Sequence, residues 1–218
     1  MKTATPNNET TPPRRRGVRE APAVRQQSII DAAMRCIARY SYSETTIDRI
    51  CAEAKVSRGL INHHFQSKDE LMAQTYKRLA ADLRAISTAA CEKAVSPEEK
   101  LHATVRVCFE PPMFTPKNVK VWLGFWSVAH SDPVIRKTHK EMYGNYRRLL
   151  EGFFDEISKE RTIAIDSPLA ALTLTAVIDG FWLELARDPT SFKAEDALDG
   201  CMRVIDVFLA PQAARKCA

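Results

Sequence analysis

The stretch from Val56 to Leu71, VSRGLINHHFQSKDEL, concentrates side chains that could ligate a metal, transfer a proton or bind a polyanion. Chelation by His63 and His64 is disfavoured, because consecutive residues of a helix point about 100° apart. Nucleophilic catalysis needs a nucleophile beside an oriented base, and the sequence shows no such set. Donor side chains on an exposed helix face instead favour contacts to the phosphates and base edges of DNA.

Two short helices joined by a tight turn would position these side chains. The first follows Thr45 and Thr46, either of which can cap a helix start, and the second begins at Ser57 after a turn at 55–56. Such a helix-turn-helix unit places its second helix in the DNA major groove. An ordinary solvated surface helix remains the alternative. Apolar side chains would pack the second helix against the first (Val56, Leu60 and Ile61) and leave polar ones outward (Arg58, Asn62, His63 and His64).

The longer segment TTIDRICAEAKVSRGLINHHFQSKDEL resembles the DNA-binding signature of the TetR family of repressors. Lys55 departs from the glycine usual at the turn, and a non-glycine residue there costs roughly 1 kcal/mol if the backbone needs a positive φ. The resemblance covers about residues 23–83. The matching residues are Ser57, Gly59, His64, Phe65, Lys68 and Leu71.

The resemblance implies roles for individual residues. Thr45 or Thr46 would contact a phosphate, and His64 and Lys68 would hold the DNA backbone. A homodimer would present two copies of this unit to a palindromic operator in double-stranded DNA. The residues facing the groove would be Ser57, Arg58, Gly59, Asn62 and His63.

The charge distribution agrees with a DNA-binding N-terminal part. Residues 1–78 have a net charge of +6 and the remainder −1. A basic end on a nearly neutral body favours a polyanion partner, although Arg14, Arg15 and Arg16 in a solvated tail supply half of the excess. No run approaches 18 uncharged apolar residues and the N-terminus has no apolar core segment, so we expect a cytoplasmic protein without a membrane span.

The remainder predicts an all-α protein with two domains. Helical periodicity begins near Val24, and no segment alternates apolar and polar residues. SKDE at 67–70 and SPEE at 96–99 have the spacing of capping boxes, and proline-marked helix starts recur, as at Thr115-Pro116 and Asp132-Pro133. The predicted divisions are a disordered basic extension (1–22), a helix-turn-helix DNA-binding domain (23–83) and a larger helical effector-binding and dimerisation domain (84–218). No spacing indicates a metal site, a cofactor or catalytic residues.

Aromatic side chains gather in the second half. Trp122, Phe125 and Trp126 share one helix face, and Asp179 precedes Trp182 by three residues. Aromatic rings can enclose a quaternary ammonium ion, whose charge Asp179, Glu184 or Glu110 could balance. An aromatic stripe at helical spacing can equally be core or dimer interface.

Three segments, KVWLGFWSVAHSDP, YRRLL and LTAVIDGFWLELA, are similar to choline-responsive repressors of the TetR family. This similarity implies choline or a related trimethylammonium compound as the effector. A TetR-like repressor of another ligand, such as a lipid, a drug or another amine, is one alternative. A thiol-based redox sensor using Cys51 or Cys91 is another.

Overall fold

The computed structural model describes residues 21–210, and within that range all regular elements are α-helices, which confirms the predicted fold class. Residues 1–20, including the predicted Arg-rich extension, lie outside the described residues. The helices are α1 (Pro22–Tyr40), α2 (Ile47–Ala54), α3 (Arg58–His64), α4 (Lys68–Cys91), α5 (Pro97–Arg106), α6 (Pro116–Val128), α7 (Pro133–Arg161), α8 (Ser167–Arg187) and α9 (Ala194–Leu209).

Capping side chains set most of the helix starts. Ser96 and Glu99 form the capping box predicted at α5. Ser67 caps α4 by accepting a hydrogen bond from the Glu70 N–H, but the Glu70 carboxylate accepts from Gln66 rather than from Ser67. The capping box predicted at α4 is therefore only half formed. The Thr-Pro and Asp-Pro starts of α6 and α7 are confirmed.

The first four helices form an N-terminal head. α1 packs against α2 and α4, and side chains from all four helices or their ends meet in one core. Each buried aliphatic or aromatic side chain contributes about 1.5–3 kcal/mol, which stabilises helices as short as α2 and α3 that would not persist alone. The fully buried members of this core include Ile29, Ile37, Ile50, Ile61 and Phe65.

The longer helices α7 and α8 form the centre of the body, with α4, α5, α6 and α9 packed around them. α4 runs without interruption through residues 83 and 84, where the domain boundary was predicted. One helix thus belongs to both the head and the body, and a displacement of its body end moves its head end.

A second junction joins head and body where α6 crosses α1. A Cβ atom at Gly124 would come within 2.8 Å of Ile37 Cγ2, so glycine is required for this close approach. The next residue, Phe125, is fully buried against the Tyr42 ring at 5.4 Å between centroids. The core is therefore continuous between the two parts.

α8 is the one helix among residues 21–210 that is long and apolar enough to span a membrane by length and composition. The same property is expected of a core helix, and α8 packs against both α7 and α9. Its outer face nevertheless leaves three leucines, Leu169, Leu172 and Leu183, between 46% and 49% exposed. This apolar face has no covering element within the described chain.

Candidate functional site

The helix-turn-helix unit has the predicted connection. Thr46 caps α2 by accepting from the Arg49 N–H, and Ser57 caps α3 by accepting from the Leu60 N–H. Lys55, between them, has φ 56° and ψ 45°, so the turn does require the left-handed conformation. α3, which we call the recognition helix, is held at a fixed angle by this turn.

The side chains of the recognition helix separate as predicted. Ile61 is buried, and Arg58, Asn62 and His63 are exposed. His64 differs from the prediction of an outward side chain, because it is half-buried, and its ring lies 5.3 Å from that of His63. The exposed side chains form one polar surface with Gly59. A Cβ atom added at Gly59 would meet only the Ser57 hydroxyl oxygen, at 3.8 Å.

The structure distinguishes the two threonines before α2. The side chain of Thr45 is fully buried, and its hydroxyl donates to the Ser41 carbonyl at 2.6 Å. It therefore cannot reach a phosphate without unfolding the turn, and its predicted role must be corrected. Thr46 is exposed and remains available at the start of α2.

Sequence reasoning missed the partner of Arg58. The Arg58 guanidinium donates through two nitrogens to both carboxylate oxygens of Asp48, on α2. Both side chains are more than 60% exposed. A base edge or phosphate that accepted from Arg58 would have to displace this carboxylate, so Asp48 would compete with it.

Lys68 lies at the first residue of α4. It is half-buried, with its ammonium 6.0 Å from the centre of the Tyr42 ring. Lys68 follows the last residue of the recognition helix by only four positions, which keeps it near that helix. A cation at this place suits a contact to the DNA backbone.

The second site is a cavity of about 780 Å³ bounded by α4, α6, α7 and α8. Trp122, Trp126, Asp179 and Trp182, all predicted ligand residues, line it. Trp122 is 6.2 Å from Trp126 and 6.3 Å from Trp182 between ring centroids. The structure therefore brings four of the seven candidate residues together. Glu184, the third candidate counter-charge, is exposed outside the lining and pairs with Arg187.

Asp179 is the half-buried acid of the cavity. The Tyr143 hydroxyl donates to its Oδ1 at 3.0 Å. Burial raises the pKa of Asp179 to about 6, although the Tyr143 hydrogen bond and the charge of Arg147 act in the opposite direction. The carboxylate is thus ionised at neutral pH but insufficiently solvated, a state that a bound cation would stabilise.

Phe125 and Glu110 are not brought to the cavity. Phe125 is fully buried and stacks on Tyr76 at 4.3 Å, so it belongs to the core between head and body. Glu110 is exposed beyond the end of α5, where it pairs with Arg106. The predicted ligand roles of both residues must be corrected. For Phe125 the reason is that helical spacing could not distinguish the cavity side of α6 from its core side.

Tyr143 and Tyr146, which line the cavity, were missed. Their spacing of three residues in EMYGNYRRLL places both on one face of α7, and this was the available signal. Tyr146 lies beside Cys108, with 3.5 Å between hydroxyl oxygen and sulfur. The aromatic lining thus continues from α6 onto α7.

A chain of contacts connects the cavity to the head. The Tyr76 ring of α4 packs edge-on against Trp122 at 5.6 Å, and its hydroxyl shares a 2.8 Å hydrogen bond with His139 Nδ1. His139 in turn stacks on Tyr143 at 4.2 Å. A change in the position of Tyr143 or Trp122 would therefore displace the Tyr76 side chain of α4.

Residues 29–75 match the family of bacterial regulatory proteins named tetR, and residues 97–210 match the C-terminal domain of BetI-type transcriptional repressors. The chain therefore belongs to the TetR family of transcriptional regulators. Its C-terminal domain is of the BetI type.

Two similar curated proteins are named HTH-type transcriptional regulator BetI. The one from Burkholderia thailandensis is 34% identical over 90% of this chain and 98% of its own length. The one from Paraburkholderia phymatum is 33% identical over 91% of this chain and 98% of its own length. The similarity thus extends through both head and body.

Solved structures of other regulators share the fold. A transcriptional regulator from Pseudomonas aeruginosa PAO1 has a TM-score of 0.80 and 32% identity, covering 88% of this chain and 93% of its own. A regulator from Saccharomonospora viridis in complex with choline has a TM-score of 0.75 and 20% identity, covering 84% and 96%. At that identity the second likeness shows the fold alone.

Proposed function

We propose that the protein is a cytoplasmic, homodimeric repressor that binds a palindromic operator and releases it when choline or a related quaternary ammonium compound binds. Genes of choline and glycine betaine metabolism are the proposed targets. The observation that carries the proposal is the continuous aromatic contact between a cavity lined by the Asp179 carboxylate and the helix that leads to the recognition helix.

The proposed cage consists of Trp122, Trp126, Trp182 and Tyr143, with Asp179 as the counter-charge. A cation against a desolvated ring gains up to about 2 kcal/mol per ring, and a neutral compound of the same shape gains none of this energy. The names of the BetI relatives and the choline complex of the Saccharomonospora viridis regulator support the same ligand class.

The proposed dimer uses the exposed outer faces of α8 and α9. Leu169, Leu172 and Leu183 follow one face of α8, and Val207 of α9 is 71% exposed. Burying such a face against its copy is favourable, because each square ångström of apolar surface removed from water contributes about 25 cal/mol. A twofold dimer then presents two recognition helices to the two halves of a palindrome.

For DNA release, choline must bind the two conformations of the dimer unequally, because equal affinity shifts nothing. We propose that closure of the cage moves Tyr76 and hence α4. The proposed DNA contacts are Thr46, Ser57, Arg58, Gly59, Asn62, His63, His64 and Lys68.

The thiol-sensor alternative has less support. Burial raises the pKa of Cys51, so its thiol is less ionised than a free one at neutral pH, and redox sensing needs the thiolate. Cys91 lies 3.3 Å from the Thr104 hydroxyl and 3.6 Å from the Lys100 carbonyl, contacts typical of a packed thiol.

The test is operator binding with and without effector. The operator is first selected from genomic fragments retained by the purified protein, and affinity is then measured by gel shift. We expect two chains per palindrome, far weaker binding to scrambled duplex, and weaker operator binding in the presence of choline. The control is 3,3-dimethylbutanol, which replaces the ammonium nitrogen by carbon. Equal effects of the two compounds would disprove the cage, and unchanged operator affinity with bound choline would disprove the switch.

A further inference from the structure

The cavity is larger than choline requires. Its volume of about 780 Å³ lies in the range of sites that enclose drug-sized ligands. Choline carries only a two-carbon alcohol on its trimethylammonium group. A cage closed around that group leaves much of the cavity unfilled. The remaining lining residues therefore indicate which other chemical groups a ligand of this cavity contains.

The lining changes character from its buried part to its exposed part. Trp122 and Trp182 are each 5% exposed, whereas the cationic lining residues Lys77, Arg84 and Arg148 are exposed. The first part suits a cation, and the second suits an anion. The lining therefore has opposite electrostatic preferences at its two ends.

These three cations form no ion pair within residues 21–210, where eight other arginines do. Arg148 donates to the Asn145 side-chain oxygen, which is neutral. Glu141 is the exposed carboxylate in the lining, and it lies two turns, about 10 Å, before Arg148 on α7. The exposed part of the lining thus has an uncompensated positive charge.

A buried hydroxyl on the same wall also has no partner. Ser87 lies one turn after Arg84 on α4, lines the cavity and is 2% exposed, and its Oγ makes no hydrogen bond in the described chain. A buried polar atom without a partner is unfavourable, because it has lost its hydrogen bonds to water. An oxygen of a ligand that extends along α4 would satisfy it.

We infer that the cavity takes an elongated zwitterion, with a quaternary ammonium in the aromatic cage and a covalently attached phosphate or carboxylate held by Arg84 and Arg148. This inference rests on the proposed cation cage. Arginine suits this role, because its planar guanidinium donates in pairs to phosphate and carboxylate oxygens.

Isothermal calorimetry on the full chain tests the inference with choline, phosphocholine, carnitine and inorganic phosphate as probes. We expect phosphocholine to bind about tenfold more tightly than choline, with inorganic phosphate alone binding far more weakly than either. Carnitine distinguishes the anion, since tighter binding of carnitine than phosphocholine would assign a carboxylate and the reverse a phosphate.

The variants test the residues. In Arg84→Gln/Arg148→Gln the ratio of phosphocholine to choline affinity should fall to about threefold or less. Lys137→Gln/Lys140→Gln, which removes the same two charges from exposed residues of α7 outside the lining, should keep the ratio. A ratio near one in the natural protein, or a ratio unchanged in the double variant, would overturn the inference while leaving choline binding intact. Binding of neither choline nor phosphocholine would instead refute the cage itself.

Discussion

The recognition helix and the effector cavity differ in how much of the chain is needed to build them. Arg58, Asn62 and His63 come from one seven-residue helix, and their exposure follows from helical spacing. The cavity draws on four helices, from Lys77 on α4 to Trp182 on α8. The inner lining residues, such as Trp122 and Trp182, are also core residues, so ligand affinity and folding stability are coupled there, whereas the recognition surface can change without affecting the core.

Asp179→Asn should show that coupling most strongly. Below pH 3.8 Asp179 is protonated in both states, and between about 3.8 and 6 mainly the folded state holds the proton. The unfolding free energy of the natural protein should therefore fall as pH rises through this window. The amide removes a buried charge, so the variant should be more stable at pH 7 by up to about 3 kcal/mol.

The same variant should bind choline more weakly, because the counter-charge is lost. Denaturant unfolding and calorimetry measure the two effects. Asp155→Asn, which neutralises an exposed carboxylate of α7, should change neither. If Asp179→Asn were less stable and bound choline as before, the coupling of affinity to stability in the cavity would be refuted.

Substitutions in the recognition helix should leave the cavity unaffected. Arg58→Ala and Asn62→Ala should each weaken operator binding by about 1–3 kcal/mol and relax the preference for one base, with calorimetric choline affinity unchanged. Lys68→Ala should weaken binding to all DNA sequences alike. It should also lower by about one the slope of the logarithm of affinity against the logarithm of salt concentration. Gel shifts at several salt concentrations measure both. A changed base preference in Lys68→Ala with none in Arg58→Ala would contradict the assigned orientation of the helix.

The smallest effect is expected at the turn between α2 and α3. Lys55→Gly should stabilise the protein by about 1 kcal/mol, because a side chain is unfavourable at φ 56°. Thermal unfolding measures this gain, and Lys93→Gly, outside any left-handed position, is the control. A loss of stability in Lys55→Gly would mean that the lysine side chain compensates for its backbone conformation.

The sequence was sufficient for the fold class, the helix-turn-helix and most of its outward residues, because these depend on spacing along one short segment. It did not separate Thr45 from Thr46, since either can cap a helix and only the packing of the turn buries the first. It also placed Phe125 with Trp126, although the two neighbours on α6 face core and cavity respectively. Which side of a helix meets a cavity depends on long-range packing, which periodicity does not encode.

The grouping of the indole rings has an optical consequence. The chain contains three tryptophans, Trp122, Trp126 and Trp182, and all of them line the cavity. Their centroid separations of 6.2 and 6.3 Å are short enough for the rings to share excitation energy. Tryptophan fluorescence of the unlabelled protein, excited at wavelengths that tyrosine does not absorb, therefore originates at this one place, because the head contains no tryptophan. This intrinsic fluorescence reports whether the cavity is occupied, and it can be followed in real time while the protein is bound to DNA.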